Sequence, residues 1–199
     1  MRPCVRHFVT ICAKNFAMAE PVADFGALQV EGRENIDMRP LFPGKRFIGS
    51  DFRAGAGVDL VADLERLALA DESLGTVLCL DTLEHVEDPR AAVREMARVL
   101  APGGILVMTS VFEFPIHAFP NDYWRFTPEG FRSLLKPFPA CFVGSYGASP
   151  EVPRTVVGIG FKGGGTNEGF ERDYANWKKW FEALMNAELS KASRAAEQA

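Results

Sequence analysis

The sequence predicts an α/β fold, a mostly parallel sheet with helices on both faces that ends in an antiparallel hairpin. Three observations lead there. Short apolar runs at residues 25–30, 46–49, 58–62, 76–80 and 104–109 alternate with helical patterns, and such alternation implies crossovers between parallel strands. Between the last two runs lies a well-marked helix, with Asp88 as N-cap, Pro89 at the first helical position, and Val93, Met96, Val99 and Leu100 on one face. Pro102-Gly103-Gly104 is its expected stop. Two later runs, residues 141–145 and 155–161, flank turn formers at 147–153 and read as the hairpin.

The other elements follow in order. Near the start, Val5, Phe8, Val9, Cys12 and Phe16 recur at helical spacing, one face of a helix packed on the domain. Arg2 and Arg6 ahead of this apolar run, with Ala17-Met18-Ala19 behind it, imitate a secretory signal, but Lys14 and Asn15 interrupt the run. A further helix opens at Thr127-Pro128-Glu129, a cap followed by proline and an acid, and buries Phe131, Leu134 and Leu135. Beyond Gly163-Gly164-Gly165, residues Phe170, Tyr174, Trp177, Phe181 and Leu184 form the aromatic seam of an amphipathic helix that ends in a polar tail. That seam serves either docking on its own domain or a homodimer contact. The expected division is residues 1–165 for the domain with its N-terminal helix, and 166–199 for the C-terminal helix and tail.

Composition narrows the class. With 199 residues, 47% of them hydrophobic and 24% charged, the chain can bury a continuous core and is neither disordered nor fibrous. Lys+Arg 22 against Asp+Glu 26 gives a net charge of -4, so no basic footprint for nucleic acid is expected. Cys4, Cys12, Cys79 and Cys141 lack zinc-knuckle or dithiol spacing and read as reduced core thiols, with two disulfides as the alternative. No stretch reaches the roughly 18 to 20 apolar residues of a membrane span, and a cytoplasmic location is expected. His7, His85 and His117 have no ligand-spaced partners, so no metal site is expected, and no serine sits in a Gly-x-Ser-x-Gly turn.

Open parallel sheets bind ligands beyond the carboxyl ends of their strands, where strand order reverses. Asp51 follows the second strand, 22 residues after Gln29, close to the roughly 20-residue spacing of a nucleoside-binding acid. Asp63 follows the third strand in a corresponding place. The strongest signal is Leu78-Cys79-Leu80-Asp81-Thr82-Leu83-Glu84-His85-Val86-Glu87-Asp88-Pro89, a buried strand running into a polar cluster and then a capped helix.

Residues 81–89, together with Glu95-Met96 leading through Arg98-Val99-Leu100 to Pro102-Gly103-Gly104, resemble the class I S-adenosylmethionine-dependent methyltransferases, over roughly residues 25–160. The resemblance implies a Rossmann-like, seven-stranded sheet with the last strand antiparallel. It implies S-adenosylmethionine as cofactor, with Asp51 on the ribose hydroxyls, Asp63 and the Leu64 backbone at the adenine, Asp81 beside the methionine end and His85 near the pocket wall. The family's acid-x-Gly-x-Gly loop after strand one corresponds to Gln29-Val30-Glu31-Gly32-Arg33, where Gln29 and Gly32 would face the cofactor.

The rim loop at residues 112–126 is long, aromatic and braced by prolines, and it belongs to the resemblance through Asp122-Tyr123-Trp124-Arg125-Phe126. His117, Asp122 and Tyr123 are candidates for base or acceptor-orienting groups, while Trp124 and Arg125 are candidates for substrate contact, Arg125 toward an anion. The alternative is that the aromatic residues pack the loop down while Asp122 and Arg125 pair. The functional expectation is methyl transfer to a small-molecule acceptor. A catalytically silent relative with weak cofactor binding is the alternative, raised by the altered glycine loop. A nicotinamide oxidoreductase lacks its Gly-x-Gly-x-x-Gly.

Overall fold

Continuous burial of a seven-residue apolar stretch puts β4 (Leu74–Leu80) at the centre of the sheet. In the computed structural model, which describes residues 2–30, 37–117 and 121–196, seven strands run in the order β3-β2-β1-β4-β5-β7-β6. β1 is Val22–Phe25, β2 Phe47–Asp51, β3 Leu60–Val61, β5 Leu100–Val111, β6 Ala140–Ser149 and β7 Val152–Phe161. The first five are parallel, and β7 pairs antiparallel with both β5 and β6. The order reverses between β1 and β4, which opens a crevice beyond the carboxyl end of β1.

Each face of the sheet has its own core. α2 (Pro89–Val99) and α3 (Pro128–Leu134) cover one face, with Val93, Met96, Phe131 and Leu135 packed on Val77, Leu106 and Met108. α1 (Pro3–Asn15) and α4 (Glu168–Ala196) cover the other, where Phe8, Cys12, Phe170 and Trp177 meet Val22, Leu78, Val107 and Ile159. The aromatic seam of α4 is thus spent within the chain, Trp177 Nε1 donating to the Cys4 carbonyl at 2.9 Å. Trp180 and Leu184 stay exposed. Both caps form as expected: Asp88 accepts from the amides of Arg90 and Ala91, and Thr127 from that of Gly130.

Several boundaries differ from the sequence reading. β1 ends at Phe25 instead of spanning residues 25–30, because Gly26 adopts a φ of +92° and both Gly26 N and Ala27 N donate to the Ser50 carbonyl. The turn residue there must tolerate a left-handed backbone, which glycine does without cost. α2 stops at Val99, before the Pro-Gly-Gly. That triplet is instead the bulge of β5, whose pairing with β4 jumps from Leu74↔Leu100 to Thr76↔Ile105. The expected alternation of strands with helices also fails early, since α2 is the only α-helix among the described residues that links two parallel strands. Between β3 and β4 the chain is a strap bolted to α2: Arg98 donates to the carbonyls of Leu67 and Leu69, and Glu95 accepts from Leu67 N.

All four cysteines are free thiols; Cys4, Cys12 and Cys79 are buried, but Cys141, expected in the core, is exposed. Among the described residues no helix is long and apolar enough to cross a membrane. Trp177→Ala opens a cavity between α1 and α4 and orphans the Cys4 carbonyl, so it is expected to cost about 3–5 kcal/mol in urea unfolding. Trp180→Ala, at a half-exposed ring, should cost under about 1 kcal/mol. A thiol reagent added to the native protein is expected to titrate one cysteine, and a Cys141→Ser variant none.

Candidate active site

β4 leaves the sheet at Asp81, whose φ of +50° is uncommon for a residue with a side chain. Five hydrogen bonds hold it there. Asp81 N donates to the Thr109 carbonyl at 3.0 Å and to Thr109 Oγ1 at 3.1 Å, while its Oδ1 accepts from Thr109 Oγ1 at 2.8 Å. Arg2, the residue before α1, donates to both carboxylate oxygens at 2.9 and 2.7 Å and also reaches the Thr155 hydroxyl. Burial works against the Arg2 charge, yet the Asp81 carboxylate holds its pKa above the ordinary value. The N-terminal helix therefore delivers a cation into the rim. Nothing local at Arg2 signals this role, which depends on a contact 79 residues away.

Beyond Asp81 a 3-10 turn, Leu83–His85, points Glu84 inward, where it is fully buried. Glu84 Oε2 accepts from Ser110 Oγ at 2.6 Å, and Oε1 has no hydrogen-bond partner among the described residues. Burial, and then the Asp81 charge, push its carboxyl up to about 8. The rim loop folds back over this turn. Tyr123 N and Trp124 N donate to the Glu84 carbonyl, and Trp124 Nε1 donates to that of Val86. The Tyr123 and Trp124 side chains themselves remain substantially exposed.

His117 sits across from Glu84, with Nε2 3.9 Å from Glu84 Oε1 and Nδ1 3.2 Å from Asp122 Oδ2. The His85 ring lies 4.7 Å from it, edge to face, with its Nδ1 2.7 Å from the Asn121 carbonyl. Burial lowers the His85 pKa. Asp122 accepts from both guanidinium arms of Arg125, at 2.5 and 2.8 Å, and from His117 N. Arg125 therefore holds the Asp122 carboxyl well below the usual carboxylate range. Arg125 further donates to the carbonyls of Phe114, Pro115 and Trp124, so the guanidinium considered for an anionic substrate braces the loop. The histidines expected to lack ligand-spaced partners thus meet Glu84, because residues 112–126 return to the end of β4.

On the other side of the crevice, Asp51 ends β2, its Oδ1 accepting from Arg53 N. Asp63 is exposed in a turn in which Oδ1 accepts from Glu65 N, and Leu64 beside it is buried. With β1 ending at Phe25, the turn after the strand is at Gly26, and Asp24-Phe25-Gly26 reads acid-x-Gly five residues before the segment chosen from sequence, with Leu28 in place of a second glycine. Gln29 lies past the turn, donating its amide to the Ala56 carbonyl. Gly32, with Glu31 and Arg33, is outside the described residues. Asp24 is buried near the end of β1, where Gly49 of β2 lies beside it; Ser50 Oγ, one residue on and paired with Phe25, is buried with no partner among the described residues. Asp24 and Arg2 are candidate site residues that sequence reasoning missed, and Glu84 was seen in its cluster but given no role; for Asp24 the available signal was the acid two residues before Gly26.

Residues 45–108, from β2 into β5, match the family model described as a methyltransferase domain. A ubiquinone biosynthesis O-methyltransferase of Parvibaculum lavamentivorans is 28% identical over 116 residues, 56% of this chain and 43% of the relative. The fold is shared with a methyltransferase from Archaeoglobus fulgidus (TM-score 0.55, 15% identity, 78% of this chain and 94% of that one). Over residues 45–108 the chain is similar to methyltransferase domains, and its fold is shared with S-adenosylmethionine-dependent methyltransferases. A second methyltransferase of the same fold is the Burkholderia thailandensis 1,6-didemethyltoxoflavin-N1-methyltransferase with S-adenosylhomocysteine bound (TM-score 0.57, 15% identity, 81% of this chain and 79% of that one). The chain spans less than half the length of the ubiquinone methyltransferase it matches.

Burial pushes the Asp24 carboxyl up to about 8, with Arg39 opposing and Asp37 adding to the shift. An unfolded aspartate titrates near 4. Between about pH 4 and 8 the folded state therefore holds a proton that the unfolded state has lost, and stability falls as pH rises through that window. Asp24→Asn removes this loss, so its melting temperature is expected to gain on that of the wild type steadily from pH 5 to pH 8.

Proposed function

We propose that this chain moves the methyl group of S-adenosylmethionine onto a small-molecule acceptor held under the 112–126 loop. The observation that carries the reading is the arrangement around the carboxyl end of β1: the Asp24-Phe25-Gly26 turn lies between Asp51 at the end of β2 and Asp81 at the end of β4. The case for a cofactor-blind relative rested on the loop at 29–33, and it loses that support once the turn is placed at Gly26.

In this reading Asp51 accepts from the ribose hydroxyls, Gly26 lets the backbone approach the methionine end, and Asp63 with Leu64 borders the adenine. Asp81 spends both oxygens on Arg2, so its contribution is to fix the rim. When bound, the cofactor supplies an electrophilic methyl on a sulfonium, and what remains for the chain is to orient the acceptor and exclude water. The exposed Tyr123 and Trp124 offer faces on which a flat acceptor can lie. Asp122, held ionised by Arg125, is a positioning residue that fixes the His117 ring. A small acceptor accords with the relatives, named for ubiquinone biosynthesis and for a toxoflavin precursor. The seam considered for a homodimer already covers α1, and of the described large apolar residues of α4 Trp180 and Leu184 stay exposed.

Calorimetric titration with S-adenosylhomocysteine tests the proposal. One site per chain is expected, with Asp51→Ala weakening it at least tenfold, about 1.4 kcal/mol, and melting unchanged. No binding to the wild-type chain at millimolar ligand would overturn it.

A further inference from the structure

Three donor groups converge where the rim loop meets the end of β4. One ligand atom from each of Glu84, His85 and His117 lies within 4.8 Å of the others. Two ligands bound to one transition ion at about 2.1 Å sit roughly 3 to 4 Å apart, and Glu84 Oε1 to His117 Nε2 is already 3.9 Å. Each of the three side chains is already oriented by a neighbour. His117 Nδ1 is turned to the Asp122 carboxylate and His85 Nδ1 to the Asn121 carbonyl, so each ring has its Nε2 lone pair left for an ion. Glu84 Oε2 is fixed by Ser110, and Oε1, fully buried without a partner among the described residues, lies 3.9 Å from His117 Nε2. A buried carboxylate oxygen with no donor is costly unless something is meant to meet it.

We propose that Glu84, His85 and His117 form a binding site for one divalent first-row transition ion. Two imidazoles and one carboxylate suit such an ion better than magnesium or calcium, which favour all-oxygen sets. Three protein ligands also leave coordination positions open, as in sites where a metal meets a substrate. The inference deepens the methyl-transfer reading only in the ion's use: an acceptor hydroxyl bound there loses its proton to water more readily than a free one. Binding of the ion itself is independent of that reading.

The test is titration of the chelator-stripped full chain with Co2+, followed by calorimetry and visible absorption. The expected result is one ion per chain with ligand-field bands of a nitrogen and oxygen set. His117→Ala and Glu84→Gln should each weaken binding at least tenfold, and His7→Ala, on the outer face of α1, should leave it unchanged. His117 is on the rim loop, so its replacement is expected to leave the melting temperature within a few degrees even if Glu84→Gln unfolds the chain. Absence of binding, binding unchanged in His117→Ala, or a thiolate charge-transfer band assigning the ion to Cys141 would each overturn the proposal. S-adenosylhomocysteine titrated into the same ion-free protein reports separately on the methyltransferase reading.

Discussion

The carboxylate of Asp81 is the contact on which the site's geometry depends. It stands where the central strand ends and takes a backbone conformation that needs outside support. Thr109 supplies that support from β5, and Arg2 from the start of α1, with the Thr155 hydroxyl of β7 completing the ring of contacts. Three parts of the chain are tied at one point. Everything downstream takes its direction from this knot, because the turn that buries Glu84 and aims His85 begins at the next residue. Since the Arg2–Asp81 pair is partly shielded, each side chain being 19% exposed, it is screened less by salt than a surface pair.

The contrast between the two edges of the sheet follows from covering. β3 has two residues and an exposed Val61, and its side of the molecule is closed by turns and straps. On the other side β5, β6 and β7 run ten to twelve residues each and are sandwiched between helices. Long helices occur where long strands offer them area to bury. Tyr174 shows how closely α4 fits: its hydroxyl accepts from Ser145 N at 2.9 Å in the space left by Gly144, which has no side chain to obstruct it.

What could be read from the sequence was what local chemistry decides. The caps at Asp88 and Thr127 are complete within three residues, the hairpin is announced by its turn formers although its strands run on through 149 and from 152 and leave only residues 150–151 as the turn, and the Leu83-Glu84-His85 cluster stands out beside an unbroken buried strand. What escaped was decided by distant partners. Residues 25–30 look like a continuous strand, and only the bonds from Gly26 and Ala27 to Ser50 end it early. Pro102-Gly103-Gly104 reads as a helix stop because proline and glycine end helices and bulge strands alike. Arg2 and His117 lie 79 and 33 residues from their partners at Asp81 and Glu84, separations no local pattern encodes.

The β5 bulge and the glycine-rich link after β7 lie together at the amino ends of the parallel strands, Gly163 against Gly103, at the end opposite the rim. Gly165 there has open space around its missing side chain and an ordinary φ, so a cysteine fits without strain. In a Cys141→Ser background it becomes an anchoring point: a chain tethered to a surface by that thiol would stand with its crevice turned to the solution. Orientation of the immobilised molecule is in this way built into the polarity of the sheet.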